Sequence, residues 1–315
     1  MNISHRPVLL AEAVTALVGG PLIQNQNSAK QILVIDGTFG RGGHTQALLK
    51  ELNSSARMIS FDKDLDAIAV AQQINDPRLK IVHDSFAQMD QYAEAESVDG
   101  ILLDLGISSP QVDEAHRGFS FRREGPLDMR MNTDHGLTAA EWLEQAPPEE
   151  ITQVIKTYGE ERFAYQIAKA IVAKREEGLS PKTTTELASL VASVVRTREA
   201  GQDPATRTFQ ALRIYVNREL EELKEVLPKI LERLKTGGMM VVISFHSLED
   251  RIVKQFINDE KNRDTLPSNF PIRSEDLPKP RLNIVTKPIR PSVEEVKYNP
   301  RSRSGIMRVA ERTAY

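Results

Sequence analysis

The strongest constraint on the fold is a regular alternation of apolar runs and helical segments in the first hundred residues. Strand character is concentrated in four runs, Ile32–Asp36, Arg57–Phe61, Leu79–His83 and Val98–Leu105. Segments of helical composition follow the first two, at His44–Leu52 and Leu65–Gln73. Strands that alternate with helices predict a parallel sheet covered on both faces, and right-handed crossovers then give a doubly wound α/β fold.

The pattern changes between Leu137 and about Arg198, where only helical signals occur. The clearest helix is expected from Thr183, because Thr183 and Glu186 have the spacing of a capping box. A second apolar stripe at helical spacing ends at Gly178, a residue type typical of helix ends.

Sheet signals return near the C-terminus. A long helix is expected from about Thr206, kinked or restarted at Pro228 and ended by Gly237 and Gly238. The other expected elements are a strand at Met239–Ser244, a helix through Ser247–Ile257, a loop over 259–281 and closing strands at Leu282–Lys287 and Ile306–Glu311. We therefore predict a discontinuous α/β domain, residues 1–112 and 206–315, with an inserted helical substrate-recognition domain at 113–205.

The composition excludes several kinds of chemistry. The 315 residues include no cysteine, which excludes disulfides, cysteine-ligated zinc, iron–sulfur clusters and cysteine nucleophiles. The sequence singles out no metal-ligating residues, and it leaves metal dependence open. No apolar run approaches the roughly 20 residues of a membrane span, and the N-terminal sequence lacks the features of a signal peptide, so a cytoplasmic protein is expected. The net charge of −3 shows that the chain as a whole is not a basic nucleic-acid binder.

Positive charge is nevertheless concentrated between Pro271 and Tyr315. The basic residues there include Arg273, Lys279, Arg281, Lys287, Arg290, Lys297, Arg301, Arg303, Arg308 and Arg312. A solvated surface and a patch that faces phosphates both explain this composition, and the sequence leaves the two interpretations open.

A glycine-rich loop, DGTFGRGGH at Asp36–His44, follows the first strand. Glycines let backbone N–H groups approach a ligand, and the following helix start favours a phosphate or carboxylate. The spacing differs from the G-x-G-x-x-G pattern of nicotinamide cofactors. It suits S-adenosylmethionine better: N–H groups would hold its carboxylate, Asp62 its ribose, and Asp36 and Asp104 its ammonium and sulfonium charges. An oxidoreductase and a purely structural turn remain alternatives at this point.

Asp104 lies at the carboxyl end of the fourth strand, and ligands of open parallel sheets lie beyond the carboxyl ends of the strands. Asp104 is therefore expected in the same crevice as Gly42 and Asp62, although a helix-capping role would also explain an acid there. Methylation at C5 of a pyrimidine generally needs a cysteine, so without cysteine an amine or hydroxyl target remains. An aromatic amine additionally needs an acceptor for its N–H protons.

Long segments of the chain resemble the MraW/RsmH family, the bacterial 16S rRNA (cytosine-N4)-methyltransferases. The matching segments include HRPVLLAE at His5–Glu12, DGTFGRGGH at Asp36–His44, DLGISSPQVD at Asp104–Asp113, GPLDMRM at Gly125–Met131, PATRTFQALRIYVNREL at Pro204–Leu220, ISFHSLEDRIVK at Ile243–Lys254 and NPRSRSGIMRVAE at Asn299–Glu311. The resemblance covers nearly the whole chain and implies a class I, Rossmann-like methyltransferase domain with a helical insertion.

The resemblance also implies a cofactor, a substrate and site residues. The cofactor would be S-adenosylmethionine, and the partner a cytidine in the decoding region of 16S rRNA in the small ribosomal subunit. The implied cofactor residues are Gly42, Gly43 and His44 at the amino-acid end, Asp62 at the ribose, Phe86 at the adenine, and Asp104 and Gln111, with Asp36 added from the loop.

Roles beyond the cofactor are expected for a few side chains. Asp104, Ser108 and His246 are the catalytic candidates, although His246 could equally be structural. Trp142 could stack on a flipped base or fill the core. The arginines considered for RNA phosphates or, alternatively, internal ion pairs include Arg130 and Arg207.

Two other functions stay open on the sequence. One is a non-catalytic RNA-binding factor of ribosome assembly, and the other is an NAD-dependent oxidoreductase. A homodimer is compatible with the sequence, which does not define the oligomeric state, and no membrane partner is expected.

Overall fold

A computed structural model describes residues 7–24, 31–195, 203–262 and 278–315. The chain divides into two compact units. One runs up to Gly106 and resumes at Glu221, and we call it the α/β unit; the other, Ile107–Leu220, is the helical unit. The helical unit begins before and ends after the predicted 113–205, because a helix follows directly on the fourth strand and the helix that begins at Thr206 packs within the helical core.

The α/β unit is built on a seven-stranded sheet in the order β3-β2-β1-β4-β5-β7-β6. Its strands are β1 Leu33–Asp36, β2 Arg57–Asp62, β3 Leu79–His83, β4 Val98–Asp104, β5 Leu234–Ser244, β6 Leu282–Ile284 and β7 Ile306–Arg312. Strands β1 to β5 pair in parallel, and β7 and β6 add to β5 as antiparallel strands. The predicted doubly wound α/β class is confirmed, with an antiparallel pair at its C-terminal edge.

The helices lie on both sides of the sheet or form the helical unit. In chain order they are α1 Leu10–Val18, α2 Pro21–Gln24, α3 Gly43–Glu51, α4 Leu65–Ala71, α5 Ser109–Asp113, α6 Ala139–Gln145, α7 Pro148–Gly159, α8 Ala164–Glu176, α9 Thr184–Val194, α10 Thr206–Val216, α11 Glu219–Arg233, α12 Ser247–Lys261 and α13 Val293–Tyr298. Short 3-10 turns cover Phe86–Gln91, Ala115–Arg117 and Pro300–Ser304. Within the described ranges, no helix is long and apolar enough to cross a bilayer.

The sheet is buried on both faces, which explains its continuous apolar strands. Ile101 and Leu103 of β4 belong to the same core cluster as residues of α11 and α12. Leu102, between them, belongs to the opposite cluster with residues of α1 and α3. Because side chains alternate along a strand, one run of apolar residues supplies both cores.

The helical unit has a separate core. Its fully buried side chains include Ile155 of α7, Ile167 of α8 and Leu187 of α9. Thr183 caps α9 in the predicted capping box with Glu186. Helix α9 ends at Val194, and the end predicted near Arg198 lies outside the described residues.

The prediction of one long helix from Thr206 is wrong. Helix α10 ends at Val216, and α11 begins at Glu219. The chain breaks here because Arg218 has a left-handed backbone conformation and because the Asn217 side chain donates to the Met129 carbonyl at 2.7 Å. Pro228 lies inside α11, so the helix does not restart there, and the kink at this residue stays a prediction.

The predicted helix end at Gly237 and Gly238 is also wrong. Both glycines lie inside β5, where the pairing with β4 shifts register between Leu234 and Met239. Gly237 has a φ of 82°, a left-handed conformation that glycine adopts readily and that is common in strand bulges. The loop predicted for 259–281 begins later, since α12 continues to Lys261. Most of the rest of this loop, 263–277, lies outside the described residues, and Arg273 lies there. His5, in the first segment that matches the family, also lies outside the described residues.

Candidate cofactor site at the carboxyl edge of the sheet

The glycine loop joins β1 to α3 along the carboxyl ends of three strands. The amide of Gly37 donates to the Leu102 carbonyl at 2.8 Å, and that of Phe39 donates to the Phe61 carbonyl at 2.8 Å. Gly42 has a φ of 74°, and a Cβ there would lie 2.7 Å from the Phe39 ring. Helix α3 then begins at Gly43, and the N–H groups of a first turn have no intrahelical acceptors, so they are suited to a carboxylate ligand.

Asp36, at the end of β1, is fully buried and bonded within the protein. Its Oδ2 accepts from the Thr45 hydroxyl at 2.7 Å, and its Oδ1 accepts from the Thr38 amide at 3.0 Å. Burial raises the pKa of Asp36, and these hydrogen bonds partly oppose the effect. The arrangement gives Asp36 a clear role in fixing the loop, and its direct contact with a cofactor stays a prediction.

Asp62, at the end of β2, holds the loop from the other side. Its Oδ2 accepts from the Gly40 amide at 2.7 Å, and its Oδ1 accepts from the Asp64 amide at 2.9 Å. Burial raises the pKa of Asp62 to about 6 in spite of these two bonds. A carboxylate oxygen that accepts one hydrogen bond can accept another, so Asp62 retains the capacity to bind a ribose diol.

The raised pKa of Asp62 predicts a pH-dependent loss of cofactor affinity. In its predicted role the ionised carboxylate of Asp62 would accept from both ribose hydroxyls, so we expect the dissociation constant for S-adenosylmethionine to rise as the pH falls through about 6. The free energy of unfolding of the cofactor-free protein should change with pH in the opposite direction. Because the pKa of Asp62 is higher in the folded chain than in the unfolded chain, Asp62 stabilises the fold most at low pH, and this contribution is lost as the pH rises through about 6. Calorimetric titrations between pH 5 and 8 test the first statement.

The control for this pH dependence is Asp62→Asn. It should bind more weakly at neutral pH and lose the inflection near pH 6, whereas the slopes due to Asp36 and Asp104 should remain. An unchanged inflection in the variant would assign it to another group.

Asp104 ends β4 in a cluster of negative charge. Its amide donates to the Thr38 hydroxyl at 2.6 Å, and its Oδ2 lies 3.5 Å from Nδ1 of His44. Burial, followed by repulsion from Asp36 and Glu249, raises the pKa of Asp104 well above its usual range. Burial lowers the pKa of His44 to about 4, so the ring is neutral at pH 7 and does not offset the carboxylate.

The neighbours that raise the pKa of Asp104 are thus acids, and the His44 ring beside it is neutral. Oδ1 of Asp104 is buried and has no hydrogen-bond partner among the described residues. Buried charges are normally paired, so this carboxylate fits a cationic ligand group better than a neutral or anionic one. The residues thus fit S-adenosylmethionine, which carries a sulfonium and an ammonium group.

Phe86 lies beside the loop, at the start of a 3-10 turn after β3. Its side chain is half-buried and packs against the sheet core. A Cβ on Gly37 would lie 3.0 Å from Cβ of Phe86 and 2.3 Å from the Leu103 side chain, so glycine is needed for this close approach. Contact of Phe86 with an adenine stays a prediction.

Ser108 and Gln111 belong to the helical unit. Together they form a capping box at the start of α5, in which Oε1 of Gln111 accepts from the Ser108 amide at 2.9 Å. This local bonding explains both side-chain positions, and their predicted roles at a cofactor or substrate are untested.

His246 is the N-cap of α12 in the α/β unit. It forms a capping box with Glu249, and its Nε2 lies 3.1 Å from Oε1 of that buried carboxylate. These contacts supply the structural role that the sequence left as an alternative, and a catalytic role stays a prediction.

The three predicted RNA contacts lie in the helical unit. Trp142 is buried and packs against Tyr215 with ring centroids 4.5 Å apart, so core packing explains it and its position gives base stacking no support. Arg130 forms a bidentate pair with Asp128, the internal ion pair that was the alternative to phosphate binding. Arg207 donates to the Glu160 carbonyl at 3.0 Å.

Several residues that support the site were not predicted from the sequence. Thr38 and Thr45 hold Asp36, and Ser60 bonds the Thr45 hydroxyl at 2.9 Å. Glu249 was missed as a charge near Asp104, although its position three residues after His246 is the capping-box spacing. That spacing was the available signal.

Comparison with known proteins agrees with this geometry. The model of the MraW methylase family matches residues 2–313. A ribosomal RNA small subunit methyltransferase H from Polynucleobacter necessarius subsp. necessarius is 79% identical over 99% of this chain and 98% of its own length, and a protein of the same name from Methylobacillus flagellatus is 56% identical over 98% and 95%. Among solved structures, an rRNA methylase from Streptococcus thermophilus aligns over 99% of both chains at 11% identity with a TM-score of 0.43.

The family match extends over both units and includes the glycine loop and all three acids at the strand ends. It confirms the predicted methyltransferase class and S-adenosylmethionine as its cofactor, and it removes the support for a nicotinamide oxidoreductase. The chain belongs to the MraW methylase family.

Proposed function

We propose that this protein transfers a methyl group from S-adenosylmethionine to the N4 amine of a cytidine in the decoding region of 16S rRNA. The observation that carries the proposal is full-length similarity, at up to 79% identity among the relatives described, to proteins named as methyltransferases of the small-subunit ribosomal RNA. The position and atom come from the resemblance of the sequence motifs.

The α/β unit would bind and orient the cofactor. The first turn of α3 would hold the carboxylate, Asp62 the ribose, and Asp104 the positive charge. When bound, S-adenosylmethionine supplies an electrophilic methyl carbon. The contribution of the protein is placement of the two reactants in line, which converts the transfer to a unimolecular step without a covalent intermediate.

A cytosine amine needs help from the protein because its lone pair is delocalised into the ring. A group that accepts its N–H protons would let the nitrogen become pyramidal toward the methyl group. Asp104 is the first candidate, with Ser108 and His246 as the others; we propose that the helical unit recognises the RNA around the base.

The test uses small ribosomal subunits from cells that lack this gene. Purified protein and labelled S-adenosylmethionine are incubated with these subunits, with naked 16S rRNA and with assembly intermediates, and the digested RNA is analysed by mass spectrometry. We expect N4-methylcytidine from the wild type and none from Asp104→Ala. The oligomeric state is measured by sedimentation in parallel, because the sequence leaves a homodimer open.

Other outcomes are informative. Methylation of another nucleoside would contradict the N4 assignment. Cofactor binding without transfer to any of the three RNA substrates would favour the non-catalytic RNA-binding alternative.

A further inference from the structure

The basic residues near the C-terminus fall into two groups in the structure. Some are neutralised in pairs: Arg281 with Glu260 at 2.6 Å, Arg308 with Asp250 at 2.7 Å and Arg312 with Glu96 at 2.6 Å. Lys279 lies 4.3 Å from the centre of the Tyr315 ring. These side chains are explained by contacts within the α/β unit.

A second group is exposed and has no recorded partner within the described part of the chain. We call it the cationic strip, and it consists of Lys287, Arg290, Lys297 and Arg303. The carboxylates of the same segment do not neutralise it: Glu294 is a single exposed acid, and Glu295 is buried, where its Oε1 accepts from the Leu9 amide at 2.9 Å. The strip therefore carries a surplus of positive charge.

The strip is attached to the same edge of the sheet as the cofactor site. The sheet register places Asp104 beside Ile243, Ile243 beside Met307, and Met307 beside Ile289, which lies between Lys287 and Arg290. Three strand spacings give a backbone separation of about 14 Å between Asp104 and Ile289. An RNA that presents a base near Asp104 would bring the phosphates of nearby nucleotides within reach of the strip.

The segment that carries the strip is firmly held. Besides the buried bond of Glu295, the Ser302 hydroxyl is buried and donates to the Asn299 carbonyl at 2.7 Å. A Cβ on Gly305 would lie 3.0 Å from the Val8 side chain, so the chain packs closely against the N-terminal segment. A fixed backbone presents its cations with a smaller loss of entropy on binding.

A groove of about 250 Å³ lies at one end of the strip. Its walls include Lys254 and Lys287, both exposed, and Thr286. The hydroxyl oxygen of Thr286 is buried and has no hydrogen-bond partner in the parts of the chain that are described. The two exposed ammonium groups are donors that suit a phosphate oxygen.

From this arrangement we infer that the cationic strip and its groove bind the phosphate backbone of single-stranded RNA next to the reacting base. The proposal rests on the proposed RNA substrate and adds the surface of the α/β unit that holds it. The contacts are to phosphates, so they position the RNA without reading its sequence.

The experiment compares the triple variant Lys287→Ala/Arg290→Ala/Arg303→Ala with a control of equal charge change, Lys50→Ala/Arg57→Ala/Lys224→Ala, whose residues are exposed elsewhere on the α/β unit. Binding of a fluorescein-labelled oligouridylate of about 20 nucleotides, longer than one site, is followed by anisotropy over a range of salt concentrations. We expect the strip variant to bind the oligonucleotide about tenfold more weakly than the wild type. The slope of log K against log salt concentration should also become shallower by about 2, since each lost phosphate contact reduces that slope by about 0.7.

Calorimetry with S-adenosylmethionine shows whether the strip variant is folded, because its cofactor affinity should match the wild type. Equal RNA binding by the strip variant and the wild type, or equal weakening by the control, would overturn the proposal. So would a strip variant that keeps RNA binding but no longer binds phosphatidylglycerol vesicles, which would indicate a membrane surface. No methyl transfer is measured, so a failed methylation assay would leave this result intact.

Discussion

Asp104→Asn is expected to weaken S-adenosylmethionine binding about 30-fold and, at the same time, to stabilise the cofactor-free protein. The binding loss follows from removal of a buried carboxylate that, in the proposed complex, would face the positive charge of the cofactor, an interaction worth about 2 kcal/mol at this depth. The gain in stability follows from the raised pKa of Asp104, which shows that the free fold disfavours its charge beside Asp36 and Glu249. Asparagine keeps the shape and removes the repulsion.

Two measurements check this expectation at pH 7.5. Calorimetry gives the dissociation constants of wild type and variant, and thermal unfolding without cofactor gives their relative stabilities. Asp90→Asn serves as the control, because Asp90 is a surface carboxylate paired with Lys229 at 2.8 Å. Unchanged cofactor affinity in Asp104→Asn, or a fall in its stability, would show that the carboxylate has a structural function instead.

Gly42→Ala is expected to destabilise the α/β unit by about 2–5 kcal/mol and to abolish measurable cofactor binding. The left-handed conformation costs a residue with a Cβ about 1–2 kcal/mol, and displacement of the Phe39 ring, 2.7 Å from the new Cβ, adds about 1–3 kcal/mol. Movement of the loop would also misplace the first turn of α3.

Gly40→Ala in the same loop separates the two causes. Gly40 has a φ of 57°, but the nearest atom to a Cβ there is 4.0 Å away, so only the conformational cost should appear. Urea unfolding followed by circular dichroism gives the difference between the variants. Equal losses for both would mean that the Phe39 ring yields without cost.

The strands of the sheet could be predicted closely because their signals are local. Runs of apolar residues end at Asp36, Asp62 and Asp104, and the structure ends β1, β2 and β4 at those acids. The capping box at Thr183 is also local, since its two side chains and two amides lie within four residues.

The break between α10 and α11 could not be predicted because its cause is distant in sequence. Asn217 bonds to the backbone at Met129 and Met131, far away along the chain, and nothing in the residues around it indicates that loop. The glycines in β5 were predicted wrongly as a helix end for a related reason. Glycine is common both at helix ends and in strand bulges, and only the neighbouring strand distinguishes the two.

The candidate site was predictable in position but not in hydrogen bonding. The end of a strand places Asp36 at the carboxyl edge, yet the sequence does not show that its oxygens turn inward to Thr38 and Thr45. The repulsion that raises the pKa of Asp104 likewise depends on Glu249, which only the folded chain brings near.

The sheet order has a consequence for the way the protein is made. The central strand β4 is synthesised early, but its neighbour β5 emerges from the ribosome only after the whole helical unit, and β7 later still. The helical unit is continuous in sequence and can fold while translation proceeds. The nascent α/β unit must meanwhile keep the apolar edge of β4 unpaired, the kind of edge that invites aggregation. We therefore expect the half-made chain to depend on chaperones until its last strands are released.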